Sequence, residues 1–324
     1  MKRLFKVLSA LLLIVSLFSC NSVKGHVANN NVPTTENGEA TTLTQEKTSQ
    51  VVEVSSNQLA SDKQYTYDEI NKKYKALKLK YSKNREDYSS DEVFANFRNV
   101  KVGNIKDGIL YRGASSIDNS MGRAKYVDKL ISEVGVNFDV DLTDNDDKIK
   151  RYFSKKDFAS NYFKSLYENG NTICLHMNTN YREQKYHDRI VQAMVAMSKN
   201  EGPYYVHCIE GKNRTGFLLA VIEGLAGASY EEIVKDHMLT FANYYGITEE
   251  TDKEKYDILK ARYIDSMLRY IADNDPWTGN GTLELYELDW VNVMGRYLTK
   301  NGMSQEDIDN WYKNVTDNNY SDPG

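Results

Sequence analysis

The spacing of apolar and polar residues in the middle of the chain predicts short β-strands. Residues 136–142 alternate apolar with polar side chains and include β-branched residues, which indicates a strand. A second strand is predicted at 204–207, where an aromatic and apolar run follows a Gly-Pro pair. The apolar residues around Ile173 predict a third. We expect 204–207 to be the central strand.

Segments with helical periodicity separate and follow these strands. Helices are predicted around residues 155–168 and from about 183 to 199, and residues 229–232 (Ser-Tyr-Glu-Glu) have the pattern of a capping box at a helix start. Two more helices are predicted at 283–298 and 304–315. This alternation predicts an α/β domain with a central, mostly parallel sheet flanked by helices, followed by a helical C-terminal extension.

The N-terminal 62 residues have a different character from the rest. A basic start at Lys2 and Arg3 precedes an apolar run from Leu8 to Phe18 that is too short to span a bilayer comfortably. The run ends at Cys20 and resembles the bacterial lipoprotein signal, in which this cysteine is lipidated; an ordinary secretory signal is the alternative. We therefore expect three parts: a signal with a lipobox at 1–20, a flexible polar tether at 21–62, and a catalytic domain at 63–324 that includes the C-terminal helices.

These features predict an exported protein that is lipid-anchored to a bacterial membrane and faces outward, at the cell surface or in the periplasm. The formal net charge is −5, and loss of the signal would remove Lys2, Arg3 and Lys6 and change it to −8. This acidity argues against a nucleic-acid partner and against broad electrostatic adhesion to anionic lipid. Any attraction of an anion must be local.

The number and spacing of the cysteines limit the kinds of site that the chain can form. Cys20, Cys174 and Cys208 are the three cysteines, and their spacing fits neither a disulfide framework nor a metal site, so neither a metal nor a cofactor is expected. Cys174 lies in the apolar run around Ile173, which favours a small core residue; a resolving role for an oxidised Cys208 is the alternative.

The chemistry is concentrated in the stretch His-Cys-Ile-Glu-Gly-Lys-Asn-Arg-Thr-Gly at residues 207–216. A tight loop between a strand and a helix can point its backbone N–H groups and the positive helix end at one anion. Such surroundings favour the thiolate of Cys208, which is the nucleophilic form. Arg214 supplies a planar fork that matches two phosphate oxygens. Gly211 and Gly216 fit positions where a side chain would block the ligand or require positive φ.

This stretch resembles the HC-x5-R signature of the protein tyrosine phosphatase superfamily. The form present here is typical of bacterial tyrosine phosphatases, which include dual-specificity and phosphoinositide-active members. The resemblance extends upstream through residues 96–100 and 110–112 and downstream to Gly246, about half the chain. It implies that Cys208 forms a phosphocysteine, that Arg214 clamps phosphate, and that the Thr215 hydroxyl hydrogen-bonds the sulfur and eases its departure.

The other loop residues receive supporting roles from the same resemblance. His207 would orient the loop, with a satisfied strand histidine as the alternative. The set that would surround the phosphate is His207, Ile209, Glu210, Gly211, Lys212, Asn213 and Gly216. Lys212 would add positive charge at the pocket mouth, as in lipid-active relatives, unless it is a solvated surface lysine.

Two loop residues depart from the pattern. Glu210 brings a negative charge into a loop that attracts an anion, so we expect it to point outward or to pair with a neighbouring lysine or arginine. Asn213 stands where many relatives carry an aspartate that is the proposed general acid in some of them. An amide cannot donate that proton.

The general acid must therefore come from elsewhere. Asp141 resembles the aspartate of the relatives' D-L-R motif, and Asp144 resembles that of their L-A-D variant. We favour Asp144, since it lies beyond the strand on a loop expected to be mobile, whereas Asp141 can be tied to backbone or to an arginine. Asp146 and Asp147 are interpreted as a plain acidic turn.

Arginines upstream are candidate secondary phosphate contacts: Arg112, with Arg98 and Arg123 behind it, although structural ion pairs would have the same pattern. The overall prediction is a cysteine-dependent phosphomonoester hydrolase, a protein tyrosine or dual-specificity phosphatase that acts on a phosphorylated protein through a phosphocysteine. A phosphoinositide phosphatase is one alternative. A phosphate-binding pseudophosphatase is the alternative that Asn213 favours. A sulfurtransferase or an arsenate reductase fits the Arg-Thr-Gly ending of the loop less well.

Overall fold

Five short strands form one sheet in the part of the chain that this computed structural model describes, residues 66–274 and 284–317. In sheet order they are β1 (Arg98–Asn99), β2 (Leu110–Gly113), β5 (Tyr204–His207), β3 (Phe138–Asp141) and β4 (Thr172–Cys174). Strand β1 pairs antiparallel with β2, and the other pairs are parallel. The predicted mostly parallel sheet is confirmed, with 204–207 at its centre.

Helices cover both faces of the sheet. Their bounds are α1 Tyr67–Ala76, α2 Asp91–Ala95, α3 Ala124–Glu133, α4 Asp146–Phe153, α5 Asn161–Glu168, α6 Gln184–Lys199, α7 Asn213–Leu225, α8 Tyr230–Tyr245, α9 Lys253–Lys260, α10 Ser266–Asp273, α11 Trp290–Lys300 and α12 Gln305–Val315, with a π-helical turn at Ala261–Asp265. None of the helices within the described residues has the length and apolar character needed to cross a membrane. The predicted signal and tether at 1–62, including Cys20, lie outside the described residues.

The alternation of side chains along β5 separates two cores. Tyr204 and Val206 belong to a large core with α6, α7 and the C-terminal helices, whereas Tyr205 belongs to a smaller core with α3 and α5. Helix α7 is buried on nearly every side, in keeping with its continuous apolar run. Helix α11 packs on α7 and α12 on α6, so the C-terminal extension completes the large core.

Local signals explain most of the helix boundaries. The capping box at the start of α8 is present as predicted: the Ser229 hydroxyl accepts from the Glu232 N–H, and the Glu232 carboxylate accepts from the Ser229 N–H. The prediction for residues 144–168 was partly wrong. Asp146 and Asp147 form the first turn of α4, because the Asn145 side chain caps the helix and acidic residues are favourable at its positive end. The next helix begins only at Asn161.

Candidate active site

A tight loop, residues 208–212, connects the end of the central strand to α7. In the described part of the chain, no protein oxygen accepts a hydrogen bond from the backbone N–H groups of Ile209, Gly211, Lys212, Asn213 or Arg214. Backbone donors in proteins are nearly always paired, so a row of donors beside a buried helix end is an anion-binding arrangement. Cys208 lies at its base and is almost completely buried.

The surroundings of Cys208 favour its thiolate. Burial alone would raise the pKa of the thiol. The positive charge of Arg214, the Thr215 hydroxyl, and the backbone N–H groups of Thr215 and Glu210 together outweigh this effect and lower the pKa. The Thr215 hydroxyl is buried and has no oxygen or nitrogen partner among the described residues, so it is available to hydrogen-bond the Cys208 sulfur.

Arg214 is held at the side of the loop by the segment that follows β4. One guanidinium nitrogen, Nη1, donates to the carbonyl of Met177 at 3.0 Å. The side chain is partly exposed, and among the described residues no other protein acceptor is found for it. Its remaining N–H groups can therefore bind an oxyanion in the cradle.

Two aspartates, one at the end of the neighbouring strand β3 and one just beyond it, differ in their environments. The Oδ1 atom of Asp141 accepts from the backbone N–H groups of Thr143 at 2.7 Å and of Asp144 at 3.0 Å, so this carboxylate shapes the turn. Asp144 is fully buried, with Lys148 Nζ 2.5 Å from its Oδ1. Burial and the adjacent Asp141 charge raise the pKa of Asp144 to about 6, despite the attraction of Lys148. Asp141 is therefore bonded to the turn, whereas Asp144 is buried beside a lysine.

Comparison with known proteins assigns the chain to a family. A sequence profile described as the tyrosine phosphatase family matches residues 92–317, which include every element from most of α2 to the end of α12. The chain belongs to the tyrosine phosphatase family. It is a phosphoric monoester hydrolase. No curated protein matches the chain.

The loop of this phosphatase is supported from behind by a buried polar network that sequence reasoning missed. The Asn96 amide donates to the carbonyls of Glu210 at 3.3 Å and of Gly211 at 3.4 Å. Arg112 is fully buried; one of its nitrogens donates to the Gly211 carbonyl at 3.0 Å and another to Asp236. The prediction that Arg112 contacts phosphate is therefore wrong. Its side chain lies behind the loop, on the side away from the free backbone N–H groups, where it bonds the Gly211 carbonyl and Asp236.

Asp236 of α8 is the centre of this network. It accepts from Arg112 and also from Arg98, whose Nε lies 2.8 Å from Oδ1. Although burial alone would raise the pKa of Asp236, the two arginines lower it, so the carboxylate stays ionised. The neighbouring Glu223 is also buried, and its pKa is raised by burial and by the Asp236 charge. Asp236 and Glu223 had no sequence signal, since both lie in helical segments far from the arginines along the chain.

His207 points away from the cradle into the smaller core. Its Nε2 lies 3.2 Å from Oδ1 of Asp139, and its ring packs edge-on against Phe163. Burial alone would lower the pKa of His207, but the carboxylates of Asp139 and Asp141 raise it to about 10. The histidine thus links the end of β5 to β3 through Asp139, which fits both the loop-orienting role and the alternative of a satisfied strand histidine.

The two loop glycines are required for different reasons. Gly211 has φ of +65°, and a Cβ there would overlap with the carbonyl of Gly113, so both backbone conformation and space demand glycine. Gly216 lies inside α7, and a Cβ there would overlap with the ring of His237. The absence of a side chain at Gly216 therefore makes room for α8 rather than for a ligand, and its backbone N–H donates to the Lys212 carbonyl at 2.9 Å.

The structure confirms some of the other sequence predictions and contradicts others. Glu210 pairs with Lys212, as expected, with Lys212 Nζ 2.9 Å from Oε2. Arg123 is wrong as a phosphate contact, because it is buried and donates to the carbonyl of Phe94 at 2.6 Å. Asn213 is the first residue of α7 and is partly exposed, although its Oδ1 is buried. Cys174 on β4 has a thiol whose pKa is raised by burial and nearby carboxylates. Among the described residues, no group of three or more His, Cys, Asp or Glu side chains is placed to hold a metal ion.

Proposed function

We propose that this phosphatase hydrolyses phosphotyrosine-type monoesters through a phosphocysteine at Cys208. The observation that carries the proposal is the low-pKa thiol at the base of a loop whose backbone N–H groups have no protein acceptor. Arg214, held beside the loop by the Met177 carbonyl, would supply the side-chain contact to the phosphoryl oxygens.

In the first step, the Cys208 thiolate attacks phosphorus and the bond from phosphorus to the leaving oxygen breaks. The leaving oxygen takes a proton from Asp144, whose raised pKa keeps a protonated fraction near neutral pH. Donation requires this carboxyl to turn from Lys148 toward the cradle when substrate is bound. In the second step, water attacks phosphorus and passes a proton to the Asp144 carboxylate while the phosphorus–sulfur bond breaks. Inorganic phosphate leaves, the Cys208 thiolate is restored with Thr215 stabilising the departing sulfur, and Asp144 is again protonated.

The test is replacement of Cys208 with serine. A serine hydroxyl keeps the shape of the site but is a much weaker nucleophile, so turnover of p-nitrophenyl phosphate should be lost while substrate binding survives. EDTA should leave the wild-type rate unchanged. Full activity in Cys208→Ser would overturn the mechanism, and wild-type protein that binds substrate without turnover would support the pseudophosphatase alternative. A panel of phosphotyrosine peptides, phosphoserine peptides and phosphoinositides, with released phosphate as readout, assigns the substrate class.

We also propose that the enzyme works outside the cytoplasm. The basic and apolar start of the chain and Cys20 support a lipid anchor on a bacterial membrane, with 21–62 as a tether to the catalytic domain. Its substrates would then be phosphorylated groups that are exposed on the outer side of that membrane.

A further inference from the structure

A segment upstream of the family-matched region reaches the catalytic loop. Tyr81 follows α1 and precedes residue 92, where the match begins. Its hydroxyl donates to Oε1 of Glu210, and its ring stacks on Tyr244 with centroids 4.8 Å apart. Arg123 holds this segment in place: its guanidinium lies 5.1 Å from the Tyr81 ring and donates to the Ser82 carbonyl at 3.2 Å.

Glu210 is thereby occupied at both carboxylate oxygens. Oε1 accepts from Tyr81, and Oε2 lies 2.9 Å from the ammonium of Lys212. Only 27% of the Glu210 side chain is exposed. A carboxylate satisfied by one neutral and one charged donor holds both of them in a defined geometry.

The contact with Glu210 keeps the Lys212 side chain out of the phosphate cradle. Its side chain is 7% exposed, and its ammonium lies 5.9 Å from the ring centroid of Tyr245 and 6.0 Å from that of Tyr263. These partners lie on α8 and the π-helical turn, whereas Arg214 turns toward Met177 after β4. The lysine charge is therefore neutralised and enclosed, on a different side of the loop from Arg214.

We infer that Tyr81 and Glu210 determine specificity: they hold the Lys212 ammonium away from the phosphate cradle, so that the site disfavours a substrate with a second phosphate beside the scissile one. Arg214 then serves the scissile phosphate without a second cation for a neighbouring group. Without Glu210, the buried ammonium would be unpaired, which is costly, and the flexible lysine would turn toward the anionic ligand. This inference rests on the proposed function.

Two phosphotyrosine peptides of the same sequence test it, one of which carries a non-hydrolysable phosphonate analogue of phosphotyrosine at the adjacent position. The measured quantity is kcat/KM for the doubly anionic peptide divided by that for the singly anionic one. We expect a ratio below one in wild type and a rise of about two- to fivefold in Glu210→Gln, the usual size of one partly screened charge contact. Tyr81→Phe, which removes one hydroxyl, should raise the ratio by a smaller factor.

Two control variants distinguish the proposed effect of Glu210 on Lys212 from a general effect on folding. In Glu210→Gln with Lys212→Gln, the rise should disappear, because the responding cation is gone. Tyr88 lies in the same segment, but its hydroxyl donates to the Ser82 carbonyl and not to Glu210. Tyr88→Phe should therefore leave the ratio of the two kcat/KM values unchanged.

An unchanged ratio in both Glu210→Gln and Tyr81→Phe, or a rise that survives the loss of Lys212, would overturn the inference and leave the proposed function standing. Absence of turnover in wild type would overturn the proposed function instead. In that case, the affinities of both peptides for the same variants in a Cys208→Ser background, measured by calorimetry, decide the inference by the same ratio.

Discussion

Replacing Asp144 with asparagine should make the phosphatase more stable and less active. The pKa of this buried carboxyl is raised from 3.8 to about 6, which corresponds to roughly 3 kcal/mol of unfavourable free energy for holding the charge in the folded state. Asparagine has the shape of the protonated acid and carries no charge. The stability gain should approach that figure above pH 6, since the attraction of Lys148 is already included in the raised pKa.

The sign of the pH dependence follows from the two pKa values. Between about pH 4 and 6, Asp144 is protonated in the folded protein but ionised in the unfolded chain. The free energy of unfolding of wild type therefore falls as the pH rises through that window. Below pH 4 both states are protonated, and wild type and Asp144→Asn should be equally stable. Urea denaturation at pH 4 and pH 7.5 measures the difference.

Activity should change in the opposite direction. A general acid contributes roughly 10²- to 10⁴-fold, most with a poor leaving group. At pH 7 about one tenth of the molecules carry the proton when the pKa is about 6, so the loss should be larger at pH 5 than at pH 7. The assay is the ratio of wild-type to Asp144→Asn kcat/KM at each pH, for an alkyl phosphate and for p-nitrophenyl phosphate. This ratio cancels the ionisation of the substrate itself.

Two results would refute the reasoning. Equal losses on both substrates would mean that Asp144 positions the loop or that another residue is the acid. A variant less stable than wild type at pH 7.5 would mean that the charged carboxylate is well accommodated. Asp141→Asn is the matched control: it removes the like charge that helps raise the pKa of Asp144, so the fall in rate with rising pH should move to lower pH.

Three further changes test other parts of the structure. Gly216→Ala should cost about 1–3 kcal/mol in urea denaturation, because the new methyl group would overlap with the ring of His237; unchanged stability would show that the ring can move aside. Asp236→Asn should cost about 3–5 kcal/mol and reduce kcat, since it leaves two buried arginines without their shared carboxylate; a normal urea midpoint would show that Glu223 replaces it. Cys20→Ala should block incorporation of labelled fatty acid and the usual processing, and recovery of wild-type protein in the cytosol with Met1 intact would contradict the anchor.

The sequence alone determined the features that depend on neighbouring residues. The central strand, the cysteine loop and the start of α7 are consecutive in the chain, and the capping box at Ser229 spans four residues. The pairing of Glu210 with Lys212 was also predictable, since the two residues are two positions apart and a negative charge in an anion loop needs compensation. The class of chemistry followed from the same short stretch.

Only the tertiary structure decided which side of the loop each distant residue would reach. Arg112 could have faced the phosphate or the back of the loop; it lies behind because Asp236, 124 positions later, provides the buried counter-charge there. Tyr81 meets Glu210 across 129 positions, and His237 occupies the space that Gly216 leaves open. Such contacts arise when helices from separate parts of the chain pack on one sheet. A local pattern can suggest that a charged residue needs a partner, but the partner is chosen by the packing that brings the two together.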